Sequence, residues 1–504
     1  MAGTDLDRRE LLKLAGAGAG VAALGGSGLA AAEELLGEAR AGHPGPRALR
    51  ALRREVSGRV LAPADAGYAD ARLLYNERFD GVMPAAVVQA EGVRDVKATV
   101  AWAARRGIPV TARCGGHSYA GYSTKRNGVV IDLRKLQRLK VDSGSGTAVV
   151  GAGMPLASMY TRLAAKGMTV PGGTCPTVGI SGLALGGGEG MASRKLGLTS
   201  DNIRSMGIVL ADGRYREVDR RRRPDLLWAC RGGGGGNFGI VTHFEFDAYP
   251  VSTASYFHAR WPWEQADEVL AAWQELGPGA PPELASGISL FTSKEGPKIG
   301  GKGQYFGSEA DLRNLVAPLE AVDGAEITYG TEPYGELMLR WAGCEGETGP
   351  ECIAGAGRAR FYASSDYVAD PLSSEGRARM MRVIEAAPHE KHAASLILDA
   401  YGGAINEVAP DATAFVHRDQ LFSIQYFTEF TPGNRRTATA WVQDSRRTMR
   451  PDVSGQSYQN YIDARQKRWK RAYYGQNWER LREVKTAYDP EGVFRFRQGI
   501  PPKS

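Results

Sequence analysis

Arg113-Cys114-Gly115-Gly116-His117-Ser118 and Gly172-Gly173-Thr174-Cys175-Pro176-Thr177-Val178-Gly179 are the two segments on which the reading of this chain turns. Each seats one nucleophilic side chain, an imidazole or a thiol, in a turn of small residues where backbone can approach a ligand closely. A His and a Cys presented this way can both form covalent bonds to one bound ring. The surrounding sequence alternates short β-branched runs with helical spacing. Residues 93–106 pattern as an amphipathic helix, 108–112 and 128–133 as strands, 155–166 as a second helix, and 203–211 as a strand closed by Asp212-Gly213. The apolar run 226–231, which carries Cys230 as a buried small hydrophobe, reads as strand-like. Five consecutive glycines at 232–236 exclude helix and predict a loop that something packs against closely.

Past residue 250 the glycine runs stop, and the pattern up to about 455 is helix, strand and aromatic loop. Residues 469–488 predict one long helix, stopped by Asp489-Pro490-Glu491-Gly492. A chain of 504 residues exceeds what one core usually organises. The expected division is a discontinuous cofactor unit over 70–250 and 456–504, with a substrate-binding domain over 251–455 inserted between them.

Composition narrows the function. Hydrophobic residues at 43% and charged residues at 24% describe an ordinary globular protein. The net charge of +7 is carried by scattered residues; Arg220 to Arg223 and residues 465–471 read as solvated surface, the latter as one face of a helix. Without interleaved aromatic platforms, this basicity does not predict a nucleic-acid partner. Arg8-Arg9-Glu10-Leu11-Leu12-Lys13 followed by a weakly apolar Gly/Ala stretch and Ala30-Ala31-Ala32 reads as a twin-arginine signal over residues 1–32. It predicts use of the twin-arginine export machinery, which carries folded proteins, and a secreted product with no stable membrane insertion. Its removal takes Arg8, Arg9 and Lys13 against Asp5, Asp7 and Glu10, leaving the net charge unchanged. Five cysteines fit no zinc pattern, so no metal is expected. Cys344 and Cys352 flank a Gly/Glu-rich turn, and an oxidising compartment leaves a local disulfide and two free thiols both open.

Glycine loops alone indicate only an anion or nucleotide site. Gly186-Gly187-Gly188-Glu189-Gly190 lacks the order of a dinucleotide fingerprint, and no Walker A pattern is present. Taken together, however, residues 113–122, 171–190 and 232–242, with Tyr458-Gln459-Asn460-Tyr461-Ile462-Asp463 and Tyr473-Tyr474-Gly475-Gln476-Asn477, resemble the berberine-bridge-enzyme-like branch of the flavin oxidases sharing the vanillyl-alcohol-oxidase fold. The inserted middle is similar only loosely, chiefly over 415–426. The resemblance implies an α+β fold: a two-subdomain, PCMH-type FAD-binding unit with an inserted α/β domain built on an antiparallel sheet.

It also implies FAD attached twice, to His117 through the flavin 8α-methyl carbon and to Cys175 through C6. Arg113, Cys114, Gly115, Gly116, Ser118, Gly172, Gly173, Val178, Gly179, Gly182, Gly236, Asn237, Phe238, Gly239, Ile240, Tyr474 and Asn477 carry over as cofactor-binding positions. Cys114 stands where the family often has Ser, and Leu183 where plant members often have His. For catalysis the resemblance nominates Tyr461 as base, Tyr458 beside it, and Gln425 to orient substrate or base. A phenol is an awkward base: with a pKa near 10 it is about one-thousandth ionised at neutral pH, a deficit of about 4 kcal/mol. A positive neighbour or the flavin edge is expected to make it up. Val178 resembles the residue of oxidase members that admits O2, where a bulkier Leu marks a dehydrogenase. The expected reaction is hydride transfer from a hydroxyl-bearing carbon of a sugar, oligosaccharide or glycosylated natural product to flavin N5, with O2 reduced to hydrogen peroxide. The same hydride step serves oxidative cyclisation or C–H oxidation of a natural product, or a dehydrogenase with another acceptor. A flavin-binding protein without turnover is disfavoured by Tyr461 and Val178 together.

Overall fold

The computed structural model describes residues 44–387 and 393–503. The region read as a twin-arginine signal lies outside them. The first sheet has four strands in the order Arg59–Leu61, Ala86–Gln89, Val129–Asp132, Val110–Arg113. The last three are parallel and the first is antiparallel to its neighbour. Their burial on both faces explains the unbroken apolar run Val129-Val130-Ile131. The helix Val93–Ala104 follows Ala86–Gln89 and buries Val96, Val100 and Trp102. A second, antiparallel sheet of five strands follows, ordered Leu139–Asp142, Thr147–Gly151, Ile240–Asp247, Ile203–Val209, Tyr215–Asp219.

The third large sheet is antiparallel throughout and has seven strands: Glu326–Pro333, Thr253–Trp261, Gly296–Tyr305, Leu284–Ser293, Ala394–Ala400, Phe422–Glu429 and Phe361–Val368. Alternation assigns its faces. Leu396, Leu398, Phe422, Ile424 and Tyr426 join a core shared with the helices Ala266–Gly279, Ser374–Glu385 and Arg435–Met449. Ile397, Asp399 and Gln425, one residue out of phase, line a cavity on the opposite face. The expected α+β architecture with an antiparallel inserted sheet is therefore present. Leu481 and Val484, from the C-terminal helix Trp478–Tyr488, return to the core that holds Phe238 and Phe244.

Four local expectations are corrected. The run around Cys230 is the helix Pro224–Cys230, not a strand; Pro224 and Asp225 open it, and Leu226 through Cys230 are all buried. A short helix covered on every side shows the same continuous apolar run as a buried strand. The stretch 469–488 is two helices, Trp469–Tyr474 and Trp478–Tyr488, parted by Gly475 at φ +47°. Residues 465–468 precede the first of these, so the basic run is only partly helical. The strand Arg59–Leu61 also joins the first sheet ahead of residue 70. Cys344 and Cys352 form a disulfide with Cα atoms 5.4 Å apart, and Cys114, Cys175 and Cys230 are free. Among the described residues no helix is long and apolar enough to cross a membrane.

Candidate active site

The two small-residue loops meet. A Cβ on Gly115 would run into the Thr177 carbonyl and the Gly179 nitrogen, and one on Gly179 would overlap Cys114 and Gly115. His117 Nε2 lies 2.9 Å from Thr177 Oγ1, which ties the loops again. Both open onto a cavity of about 400 Å3 whose wall includes His117 and Cys175. His117 stacks on Tyr75 at 3.9 Å, and burial holds its pKa down to about 3, so the ring is neutral with a lone pair available for bonding. Cys175 is solvent-accessible through the cavity, while the protein around it raises its thiol pKa. Cys114 is buried and its thiol is pushed up to about 12, leaving it a packing group rather than a rival nucleophile.

Glycine shapes the rest of the wall. A Cβ on Gly182 would meet nothing within 4 Å, and on Gly235 or Gly236 nothing nearer than 3.8 Å, so these backbones border space that protein does not fill. A flat ring with a nucleotide tail fits such a cradle, and a neutral imidazole plus an accessible thiol suit covalent attachment to it. Gly232 and Gly234 behave differently: a Cβ there would overlap Phe415 and Gln459. The close partner predicted for the five-glycine loop is thus partly the chain itself.

The structure brings Cys114, Gly115, Gly116, Ser118, Gly173, Val178, Gly179, Gly182, Gly236, Gly239, Ile240, Gln425, Tyr458 and Tyr461 to this cavity with His117 and Cys175. Six expected cofactor contacts do not line it. The Arg113 guanidinium turns into the protein, pairing with Asp132 at 2.8 Å and donating to the Ala71 and Leu73 carbonyls. Gly172 sits behind Gly190, where neither has room for a side chain. Phe238 is core. Asn237 donates to the Gly233 and Gly234 carbonyls, the Tyr474 hydroxyl donates to that of Gly233, and Asn477 donates to those of Pro410 and Thr413. These residues shape the wall from behind.

Over the cavity stands a polar and aromatic cluster. Tyr458, just ahead of the turn Gln459–Tyr461, is buried, and its hydroxyl accepts N–H from Gly188 at 2.7 Å, Glu189 at 3.2 Å and Asn460 Nδ2 at 2.9 Å. Those three donors occupy the lone pairs it would need to act as a base. Gly188 can offer its N–H there because it adopts φ +89°, and a Cβ would overlap Thr199. Tyr461 stacks parallel to Tyr119 at 5.2 Å, and Gln425 Nε2 donates to the Tyr119 hydroxyl at 2.7 Å. Gln425 thus positions a neighbour of Tyr461 rather than Tyr461 itself.

The cavity wall also contains Glu189, Asp399 and Lys302, none of them nominated from the sequence. Tyr401 donates to Glu189 Oε2 at 2.5 Å, and Tyr367 lies 2.9 Å behind Tyr401. Glu189 Oε1 is buried and has no hydrogen-bond partner at normal distance. Burial, then the Asp399 charge, pushes Glu189 up to about 8, against the hydrogen bond from Tyr401 that favours its carboxylate. Burial raises Asp399 too, while Lys302 opposes the rise. The expected positive neighbour of Tyr461 is absent from the groups that weigh most on it: burial, Glu189, Tyr119, Asp399 and Tyr458 all raise its phenol well above 10. Glu189 went unread because it lies inside a glycine run that speaks for backbone. Asp399 shows only as one polar residue in the alternating Ala394–Ala400 strand.

Residues 84–219 match the FAD binding domain family, and residues 457–501 match the family described as berberine and berberine like. The FAD-linked oxidoreductase YgaK of Bacillus subtilis is 36% identical over 89% of this chain and 98% of its own length. A chitooligosaccharide oxidase of Gibberella zeae is 31% identical over 84% of this chain and 88% of its own. Among solved structures, BBE-like 1 of Physcomitrella patens superposes with a TM-score of 0.85 at 33% identity, covering 90% of this chain and 99% of that one. The cavity wall, its glycine cradle and these likenesses agree: the chain belongs to the berberine-bridge-enzyme-like family of FAD-linked oxidoreductases.

Proposed function

We propose that this protein is a secreted oxidase, exported through the twin-arginine route, that carries FAD bonded to both His117 and Cys175 and oxidises a hydroxyl-bearing carbon of a sugar or oligosaccharide, with O2 as acceptor and hydrogen peroxide as product. The observation that carries the reading is one cavity whose wall holds a neutral imidazole, an accessible thiol and the Tyr461 phenol together with the Glu189 carboxyl. FAD supplies a two-electron acceptor for a hydride. His117 and Cys175 hold it from the floor, Gly182, Gly235 and Gly236 leave room for its flat parts, and Tyr461 receives the substrate hydroxyl. Tyr119 and Tyr458 fix the Tyr461 ring by stacking and edge contact. The sugar assignment draws on the chitooligosaccharide oxidase relative and on carboxyl and amide acceptors suited to hydroxyl groups. Val178, in the cavity wall between Cys175 and the helix Ile180–Leu185, is the residue proposed to leave O2 a path.

The deciding experiment is peptide mass spectrometry on exported protein, joined to peroxide assays with glucose, cellobiose and chitobiose. One FAD should cross-link the His117 and Cys175 peptides; His117→Ala should leave it on Cys175 alone, and Cys175→Ala on His117 alone. Absence of attached flavin from folded protein sinks the attachment. Anaerobically reduced enzyme that reoxidises in air no faster than free reduced flavin sinks the oxidase reading.

A further inference from the structure

We propose that the uncovered face of the seven-stranded sheet, running outward from the cavity, is a subsite for an acidic saccharide. Phe291 stacks on a sugar ring there, and Lys302 with Arg260 holds a carboxylate on the unit beyond the one that reacts. The inference rests on the sugar reading above and names the class of sugar. Strand register lays the subsite out, because cross-strand neighbours share a face. Lys302, on Gly296–Tyr305, stands opposite His258 on one side and Gly287 on the other, and Gly287 stands opposite Asp399. Lys302 and Asp399 both line the cavity. Two strand spacings, about 10 Å, part their backbones. The floor between them is glycine, where a Cβ would stand 3.1 Å from Asp399 Oδ1.

Two residues back along the strand, Gly300 repeats the arrangement between Arg260 and Ser289. A Cβ there would stand 3.8 Å from Phe291 Cε1, so the Phe291 ring reaches over bare backbone. Phe291 is one of two large apolar side chains exposed among the described residues, at 36%. Ser289 pairs with Ile397, which lines the cavity, so the ring stands on a face continuous with the site. An exposed aromatic ring beside glycine suits the C–H face of a sugar. Charge decides which sugar. Among the described residues no carboxylate lies within 4.0 Å of Lys302 Nζ or of the Arg260 guanidinium. Lys302 is half-buried, with Nζ 5.8 Å from the centre of the Trp341 ring. The acids facing the patch are Asp399, Glu326 opposite Arg260, and Glu295, 3.9 Å from Lys298. A half-buried cation without a counter-ion, with a second on the next strand, favours an anionic group over a neutral one.

The test is anaerobic calorimetric titration of the purified holoprotein with two matched probes: methyl cellobioside, and the same glycoside with its outer hydroxymethyl oxidised to a carboxylate. The acid should bind about 10-fold more tightly than the neutral glycoside. That preference should shrink as salt is raised. It should fall to within about threefold of parity in Lys302→Met, and Lys302→Arg should retain most of it. Phe291→Ala should weaken both probes alike, by about 10-fold. Equal affinity for the two probes, or a preference that Lys302→Met and Arg260→Gln leave unchanged, overturns the proposal. Flavin bleaching by free cellobiose and cellobiouronic acid separates this subsite from the reaction. A parent that bleaches with cellobiose yet binds both glycosides equally keeps the oxidase reading and loses the subsite. One that prefers the acid yet bleaches with neither free sugar keeps the subsite and loses the oxidase reading.

Discussion

His417 stacks on Tyr367 at 4.6 Å, places Nδ1 2.6 Å from Gln456 Oε1, and has an Nε2 with no partner. Burial lowers its pKa from 6.5 to about 4. Between those values the unfolded chain binds a proton that the folded one refuses, so stability falls as pH drops through 6.5 and the loss is complete near pH 4. The full loss from this one residue is about 3 kcal/mol. Urea unfolding at pH 7.5, 5.5 and 4.5 should show the slope, and His417→Gln should flatten it. The site residues differ in how plainly they stood in the sequence. His117, Cys175 and Tyr461 were legible because each sits in a local pattern: a nucleophile among small residues, or an aromatic pair around Gln459-Asn460. Glu189 and Asp399 were not, because only the fold brings these residues, 210 positions apart, into the wall of one cavity. The same limit misplaced Asn237 and Asn477, whose amides serve backbone carbonyls.

Helices and strands explain where the binding wall gets its rigidity. Lys485, on Trp478–Tyr488, is fully buried with Nζ 2.6 Å from Asp489 Oδ2 and from the Asn237 and Phe494 carbonyls. Asp489 in turn accepts the Val493 and Phe494 N–H groups. The C-terminal helix is thereby bolted to the end of the five-glycine loop. Lys485→Met leaves the Asp489 carboxylate buried without its cation and should cost about 3–5 kcal/mol in urea unfolding. Long periodic elements such as Val93–Ala104 were readable, since one apolar face repeats at helical spacing. Pro224–Cys230 was not, because burial on all sides erases the period. The break at Gly475 was also hidden, since a single positive φ has no periodic signature.

Across the whole molecule, the cavity floor and the seven-stranded sheet that roofs it are held in register by Arg194. Its guanidinium, buried on the short helix Ser193–Leu196, donates to the Leu284 carbonyl at 2.6 Å, Ala280 at 2.7 Å and Pro278 at 2.9 Å. The last two carbonyls lie at the end of the helix Ala266–Gly279, where a cation is favoured. Arg194→Met strips three carbonyls of their donor and should lower stability by about 3 kcal/mol or more, with the change in flavin fluorescence and the loss of helical signal no longer coincident on heating. The contact of Gly115 with Gly179 carries a different lesson. His117 and Thr177 stand 60 positions apart in the chain, yet their loops share one mechanical tolerance. Neither loop can drift, in an individual molecule or over evolutionary time, without dragging the other, so the spacing of the two proposed attachment points is inherited as a single trait.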